Sequence, residues 1–140
     1  MDGESGHRLD LSPCGWRRPA DRQYNPAMSD PQGAAFGQMT VRELAERRAC
    51  GRPPRLIDIR EPFECALARL AGAEHLPLSE VRRWWRSLEP TEEVVFHCHH
   101  GLRSAALCKV LAAEGFEHVH TLVGGIDAWS AEIDPDTPRY

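Results

Sequence analysis

No apolar run in the 140-residue chain approaches the roughly 18 residues that span a bilayer. The opening segment carries Asp2 and Glu4 and has no apolar centre, so it lacks the makings of a secretory leader. These absences predict a cytoplasmic protein with no membrane association. Positive charge is not in excess either. With 17 basic against 21 acidic side chains, the net charge is −4 and the pI near 6.0, which argues against a protein held to nucleic acid by bulk electrostatics. The cysteines Cys14, Cys50, Cys65, Cys98 and Cys108 are odd in number and contain no C-x-x-C pair, which speaks against a zinc ribbon or a disulfide framework and for free thiols. No internal repeat is visible. What is present is 41% hydrophobic and 27% charged residues, enough for one domain with a core of usual size.

Composition divides the chain. Residues 1–35 mix Gly, Pro, Asp, Arg and Ser without apolar periodicity and read as a disordered or loosely attached tail, with Trp16 and Tyr24 as its possible anchors. A start at Met28 or Met39 explains the tail equally well. Residues 36–140 read as the folded domain. Thr40 and Glu43 form a capping box for a helix marked by Val41, Leu44 and Ala45, which Gly51 and Pro53-Pro54 end. Leu56-Ile57-Asp58-Ile59 is a short buried strand, Pro62 opens a helix over 62–70, and a brief extended segment runs through 72–77. Ser79 caps a helix over 79–88, a strand leads to Cys98, a helix covers 104–114, a strand 119–123, Gly124-Gly125 turn, and a closing helix covers 126–132. Strands alternating with helices predict an α/β fold with a parallel sheet covered on both faces, whose ligands collect beyond the carboxyl ends of the strands.

Cys98 stands at such an end, after Val94-Val95-Phe96-His97 and before a helix-forming stretch. A strand-to-helix turn offers free amide N–H groups and the positive end of a helix, both of which favour a thiolate. Gly101 supplies the residue that can take positive φ, and Arg103 can add a fixed charge at the rim. The bland alternative is a core thiol at a strand end.

Three stretches together resemble the rhodanese-like sulfurtransferases over about 100 residues from Gln38 onward: Leu56 to Glu64 with Gly72-Ala73 and Pro77, then Cys98-His99-His100-Gly101-Leu102-Arg103-Ser104, then Gly124-Gly125-Ile126-Asp127-Ala128-Trp129. The resemblance implies a five-stranded parallel sheet with helices on both faces. It also implies a cysteine, here Cys98, that takes sulfane sulfur from thiosulfate or a persulfide such as glutathione persulfide and passes it to a thiophilic acceptor. The amides of His99, His100, Gly101, Leu102, Arg103 and Ser104 would cradle the persulfide and the anionic part of the donor. No metal or organic cofactor is implied. The run from Asp134-Pro135 to Tyr140 is similar to tails of rhodanese modules linked to enzymes that activate sulfur carriers, which makes a carrier protein a candidate acceptor. Two rivals remain: a non-catalytic rhodanese module for protein contact, and a cysteine phosphatase or arsenate reductase, whose signature needs one more residue between cysteine and arginine than the four found here.

Other residues invite weaker readings. Asp58 and Arg60 follow a buried strand, where charge is tolerated when paired. Asp58 is expected to accept hydrogen bonds from loop amides or from Arg103, with Glu61 doing similar work. His97, His99, His100, His118 and His120 raise a metal hypothesis, which the opposite pointing of adjacent strand residues weakens. Arg82, Arg83 and Arg86 lie broadly on one side of a helix that carries Trp84 and Trp85, where they either form a solvated face or steer an acidic ligand. One of these tryptophans is expected in the core and the other at a contact surface. Trp129 reads as a core anchor; Cys65 and Cys108 are candidates to resolve a Cys98 persulfide or sulfenate as a disulfide, though Cys108, pointing inward from its helix, reads better as an inert buried thiol.

Overall fold

A computed structural model describes residues 35–140. The expected tail, with Trp16, Tyr24 and Met28, lies outside the described residues. Five strands form one parallel sheet in the order β1-β5-β4-β2-β3: β1 is Gly37–Met39, β2 Arg55–Asp58, β3 Glu74–His75, β4 Val94–His97 and β5 Val119–Leu122. Helices α1 (Val41–Ala49), α2 (Pro62–Leu67), α3 (Val81–Trp84), α4 (Leu102–Ala113) and α5 (Gly125–Glu132) complete the α/β fold. Among the described residues, no helix is long and apolar enough to cross a membrane.

Strand alternation sorts the core into two layers. Ile57, Val94, Phe96, Cys98 and Val119 face Trp84, Leu107, Cys108 and Leu111 of α3 and α4. Leu56, Val95 and Leu122 face Val41 and Leu44 of α1 and Ile126 and Trp129 of α5. Cys98 therefore points to the α4 side of the sheet, whereas His97 belongs to the layer of Asp58, 3.7 Å away.

The Thr40–Glu43 capping box is formed in both directions, at 2.8 and 3.1 Å, and Gly51 follows α1 at φ +75°. Several boundaries differ from the sequence reading. The strand β1 was not legible, being three residues long, and it acquires its ladder only from β5. Helix α2 stops at Leu67 rather than 70 because Arg60 Nη2 takes the carbonyl of Ala68 at 2.7 Å, with Ala68 itself extended. The segment 79–88 is not one helix but 3₁₀ turns at Leu78–Glu80 and Trp85–Ser87 flanking the single turn of α3. Ser79 does not cap it, since its hydroxyl donates to Glu61 Oε1 at 2.8 Å. Cys50 is disulfide-bonded, against the expectation of free thiols, because sequence spacing alone does not limit which cysteines meet; Cys65, Cys98 and Cys108 are free.

One buried charge cluster ties the layers to the carboxyl edge of the sheet. Arg60 is 0% exposed, and its guanidinium donates to Asp58 Oδ1 and Oδ2 at 2.9 and 2.7 Å and to the carbonyls of Glu64 and Ala68. Burial alone would push the Asp58 carboxyl up, but the Arg60 hydrogen bonds and His97 hold it below its usual range. His97 is driven the other way. Burial lowers its imidazole to about 4 despite the opposing pull of Asp58.

Replacing Arg60 with Met strands the Asp58 carboxylate and is expected to cost about 3–5 kcal/mol in guanidinium denaturation. The His97 imidazole titrates near 4 in the fold and near 6.5 when exposed, so the unfolded chain binds its proton first as pH falls. The stability it supports is complete above the unfolded value and drains away between pH 6.5 and 4, by on the order of 3 kcal/mol. Denaturation curves of His97→Gln across that window should show a flatter dependence on pH.

Candidate active site

The Cys98 loop is built by three elements. β4 delivers the sulfur to the carboxyl edge at the centre of the sheet, between β2 and β5. Gly101, at φ +102°, turns the chain into α4 and serves as its N-cap. The first intrahelical bond is from Ala105 to the Gly101 carbonyl at 3.1 Å, so the amides of Leu102, Arg103 and Ser104 are those a helix leaves without an internal acceptor. The Gly101 amide donates to Cys98 Sγ at 3.2 Å. Beneath it, Ser104 Oγ lies 3.6 Å from Sγ and 2.6 Å from Thr121 Oγ1, a hydroxyl pair that the sequence did not announce. Thr121 comes from β5, whose partner residue on β4 is Phe96.

The underside of the loop is held by α5. Ile126 N–H donates to the Cys98 carbonyl at 3.0 Å, and Asp127 N–H to the His99 carbonyl at 3.1 Å. This contact explains the second glycine of Gly124-Gly125. A Cβ at Gly125, where φ is +60°, would stand 2.5 Å from both of those carbonyl oxygens. What reads in sequence as a turn is the bed on which the cysteine loop lies.

The charged residues pair differently from the expectation. Arg103 does not meet Asp58. It forms a two-point ion pair with Glu64 at 2.8 and 2.9 Å, so its charge is matched by a buried carboxylate of α2 rather than standing free at the rim. Asp58 is taken by Arg60, two residues on and closer than any loop amide. Glu61 holds Ser79, away from the loop. Glu64 was missed as a site residue; the available signal was an acid on a short helix that has to bury one face.

Tyr140 was missed as well. Its hydroxyl accepts from Arg60 Nη1 at 2.9 Å, and its ring stacks on His99 at 3.8 Å, with His100 stacked beyond at 3.9 Å. Arg139 clamps both oxygens of Asp127 at 3.0 Å. The C-terminal residues thus lie against the His99–His100 side of the loop.

The donor atoms of His99, His100 and Asp127 fall within 4.8 Å of one another. Stacked imidazoles aim their in-plane lone pairs side by side rather than at a common point, and Arg139 already neutralises Asp127, so this cluster is a poor cation trap. His118 and His120 sit at the other end of β5 and do not approach the sulfur; Val95, not the loop, is the partner of His120. Cys65 and Cys108 are both pushed up by burial, Cys65 to about 11 with Asp58 adding to the effect. Neither thiol is placed to act as a thiolate near neutral pH. Cys98 itself is only 1% exposed.

Gly125→Ala is expected to destabilise by about 2–4 kcal/mol in thermal or chemical melts, combining positive φ with a collision against the loop carbonyls. Gly115→Ala is the control. It also has positive φ, at +101°, but open space where a Cβ would go, so it should cost only the backbone term of about 1–2 kcal/mol.

The chain has relatives among known proteins. A model of the rhodanese-like domain family matches residues 40–132. A Bacillus subtilis protein named putative sulfurtransferase YtwF is 36% identical over 80 residues, covering 57% of this chain and 77% of that protein. Probable adenylyltransferase/sulfurtransferase MoeZ of Mycobacterium tuberculosis is 32% identical over 111 residues, 78% of this chain but only 28% of that protein. An Arabidopsis thaliana chloroplastic protein, rhodanese-like/PpiC domain-containing protein 12, is 36% identical over 89 residues, and the chain spans 30% of its length. Among solved structures, a rhodanese-related protein from Thermoplasma volcanium aligns with a TM-score of 0.61 at 31% identity, over 69% of this chain and 93% of that one.

Proposed function

The chain belongs to the rhodanese-like domain family, and on that premise we propose that it is a sulfurtransferase which carries sulfane sulfur on Cys98. The observation that supports this reading best is the Gly101 N–H aimed at Cys98 Sγ at 3.2 Å, at the head of α4. A donor directed to a sulfur atom stabilises negative charge there, whether on the thiolate or on the outer atom of a persulfide.

In the first half-reaction the Cys98 thiolate attacks the outer sulfur of thiosulfate. The new S–S bond forms as the old one breaks, and its electron pair leaves with sulfite. In the second, an acceptor nucleophile such as cyanide takes the outer sulfur, and the pair of the broken S–S bond returns to Cys98 as thiolate. Dividing the transfer in this way is covalent catalysis. The amides of Leu102, Arg103 and Ser104, with the dipole of α4, favour the anionic half of each step.

The near-complete burial of Cys98 favours donors that end in a single protruding sulfur, such as thiosulfate or a persulfide. Relatives named as paired adenylyltransferase and sulfurtransferase make a sulfur-carrier protein a reasonable acceptor here. The same burial is the observation favouring the second reading, a rhodanese module kept for protein contact. Phosphatase chemistry gains nothing from this site, because both terminal nitrogens of Arg103 are committed to Glu64.

Incubation with thiosulfate should add about 32 mass units, one sulfur atom, to the intact protein, and Cys98→Ser should abolish the increment. Thiocyanate formation from thiosulfate and cyanide should fall at least about 10³-fold in the same variant. A wild-type protein that acquires no sulfur from thiosulfate or glutathione persulfide is a binding module instead.

A further inference from the structure

A groove of about 610 Å³ runs between α3 and α4, from Arg103 at the end of the cysteine loop to Glu114. Its floor is apolar: Leu78, Val81 and Trp85 on one wall, and Ala106, Leu107, Val110 and Leu111 on the other. Along α4 the lining residues Arg103, Leu107, Val110, Leu111 and Glu114 recur at helical spacing, so they form one continuous face. From Arg103 to Glu114 that face is about 16 Å long at 1.5 Å per residue. Val110, in its middle, is 59% exposed, and with Ala106, Val81 and Trp85 it forms a contiguous apolar surface rather than a lone exposed side chain.

Charge marks what the cover is. Arg82 and Arg86 line the same groove, and among the described residues neither pairs with a carboxylate. Arg86 instead rests over the Trp85 ring at 5.2 Å. The one acid in the lining is Glu114. A chain with net charge −4 thus presents, at this apolar trough, a wall of unpaired guanidinium groups. The tryptophans divide accordingly. Trp84 is buried, with Nε1 donating to the Pro77 carbonyl at 2.9 Å, while Trp85 is half-buried in the groove wall.

We propose that this groove docks an acidic amphipathic helix of a partner protein, with its apolar face on Val110, Val81 and Trp85 and its flanking carboxylates on Arg82 and Arg86. A straight trough about three helical turns long matches apolar anchors spaced i, i+3/i+4 and i+7. The paired walls leave the guanidinium groups free to select charge. The proposal does not rest on the sulfur chemistry of Cys98.

The test uses fluorescence anisotropy with a dye-labelled amphipathic peptide of about 14 residues, leucine at i, i+3, i+4 and i+7 and glutamate between them, together with the same peptide carrying lysine for glutamate. The glutamate peptide should bind saturably and at least about tenfold more tightly than the lysine peptide. Val110→Asp should weaken it about tenfold, and Arg82→Glu/Arg86→Glu should reverse the preference toward lysine. All these positions are exposed and outside the cysteine loop, so thiosulfate loading of Cys98 should stay unchanged in the same samples, which keeps failure of the groove apart from failure of the sulfurtransferase reading. Absence of binding overturns the proposal, as does equal affinity for both peptides or indifference to Val110→Asp. So does self-association of the wild type in sedimentation that Val110→Asp abolishes, which would assign the groove to a second copy of the chain.

Discussion

Two main-chain hydrogen bonds, from Ile126 to the Cys98 carbonyl and from Asp127 to the His99 carbonyl, fix the cysteine loop onto the start of α5. They require the backbones of two separate segments to touch without a side chain between them, a condition that Gly125 alone meets at that point. With the carbonyls turned down onto α5, the opposite side of the loop is free to present amides upward. Gly101 N–H then reaches Sγ. The orientation of the sulfur site is thus set from below, by the element that follows it in sequence, as much as by the strand that precedes it.

Around this anchor the charges are arranged in closed pairs. Arg60 spends its donors on Asp58, on two carbonyls of the α2 segment and on Tyr140, and Arg103 is matched by Glu64. A guanidinium is suited to both tasks because its planar fork satisfies several oxygens at fixed angles while remaining ionised. Through these pairs α2 and the C-terminal residues are tied to the sheet edge. The Cys98 loop therefore sits among neutralised partners, and its local field comes from amides and the α4 dipole rather than from an isolated cation.

On the outer face of α4 the balance is different. Arg82 and Arg86 have no acid among the described residues, and they border an apolar trough rather than a polar pocket. Helix α4 thus turns its N-terminus to a sulfur atom and one long face to the trough, whose unmatched charge stands on the opposite wall, on Arg82 and Arg86.

Local patterns in the sequence determined a good deal. The capping box at Thr40, the β-branched runs of β2, β4 and β5, and the glycine stops were all legible because they depend on residues a few positions apart. The position of Cys98 at the carboxyl end of a buried strand followed from the same reasoning. The identities of the partners did not. That Arg103 meets Glu64 rather than Asp58, that Thr121 stands under Ser104, and that Tyr140 stacks on His99 are outcomes of packing between segments well separated in sequence. The edge strand β1 and the broken helix around Trp84 belong with them, since each takes its form from a neighbour: β5 in one case, the Glu61–Ser79 bond in the other. Short-range hydrogen bonding and side-chain periodicity are written into consecutive residues, whereas the choice among several competing partners for one charge is made only when the chain has closed on itself.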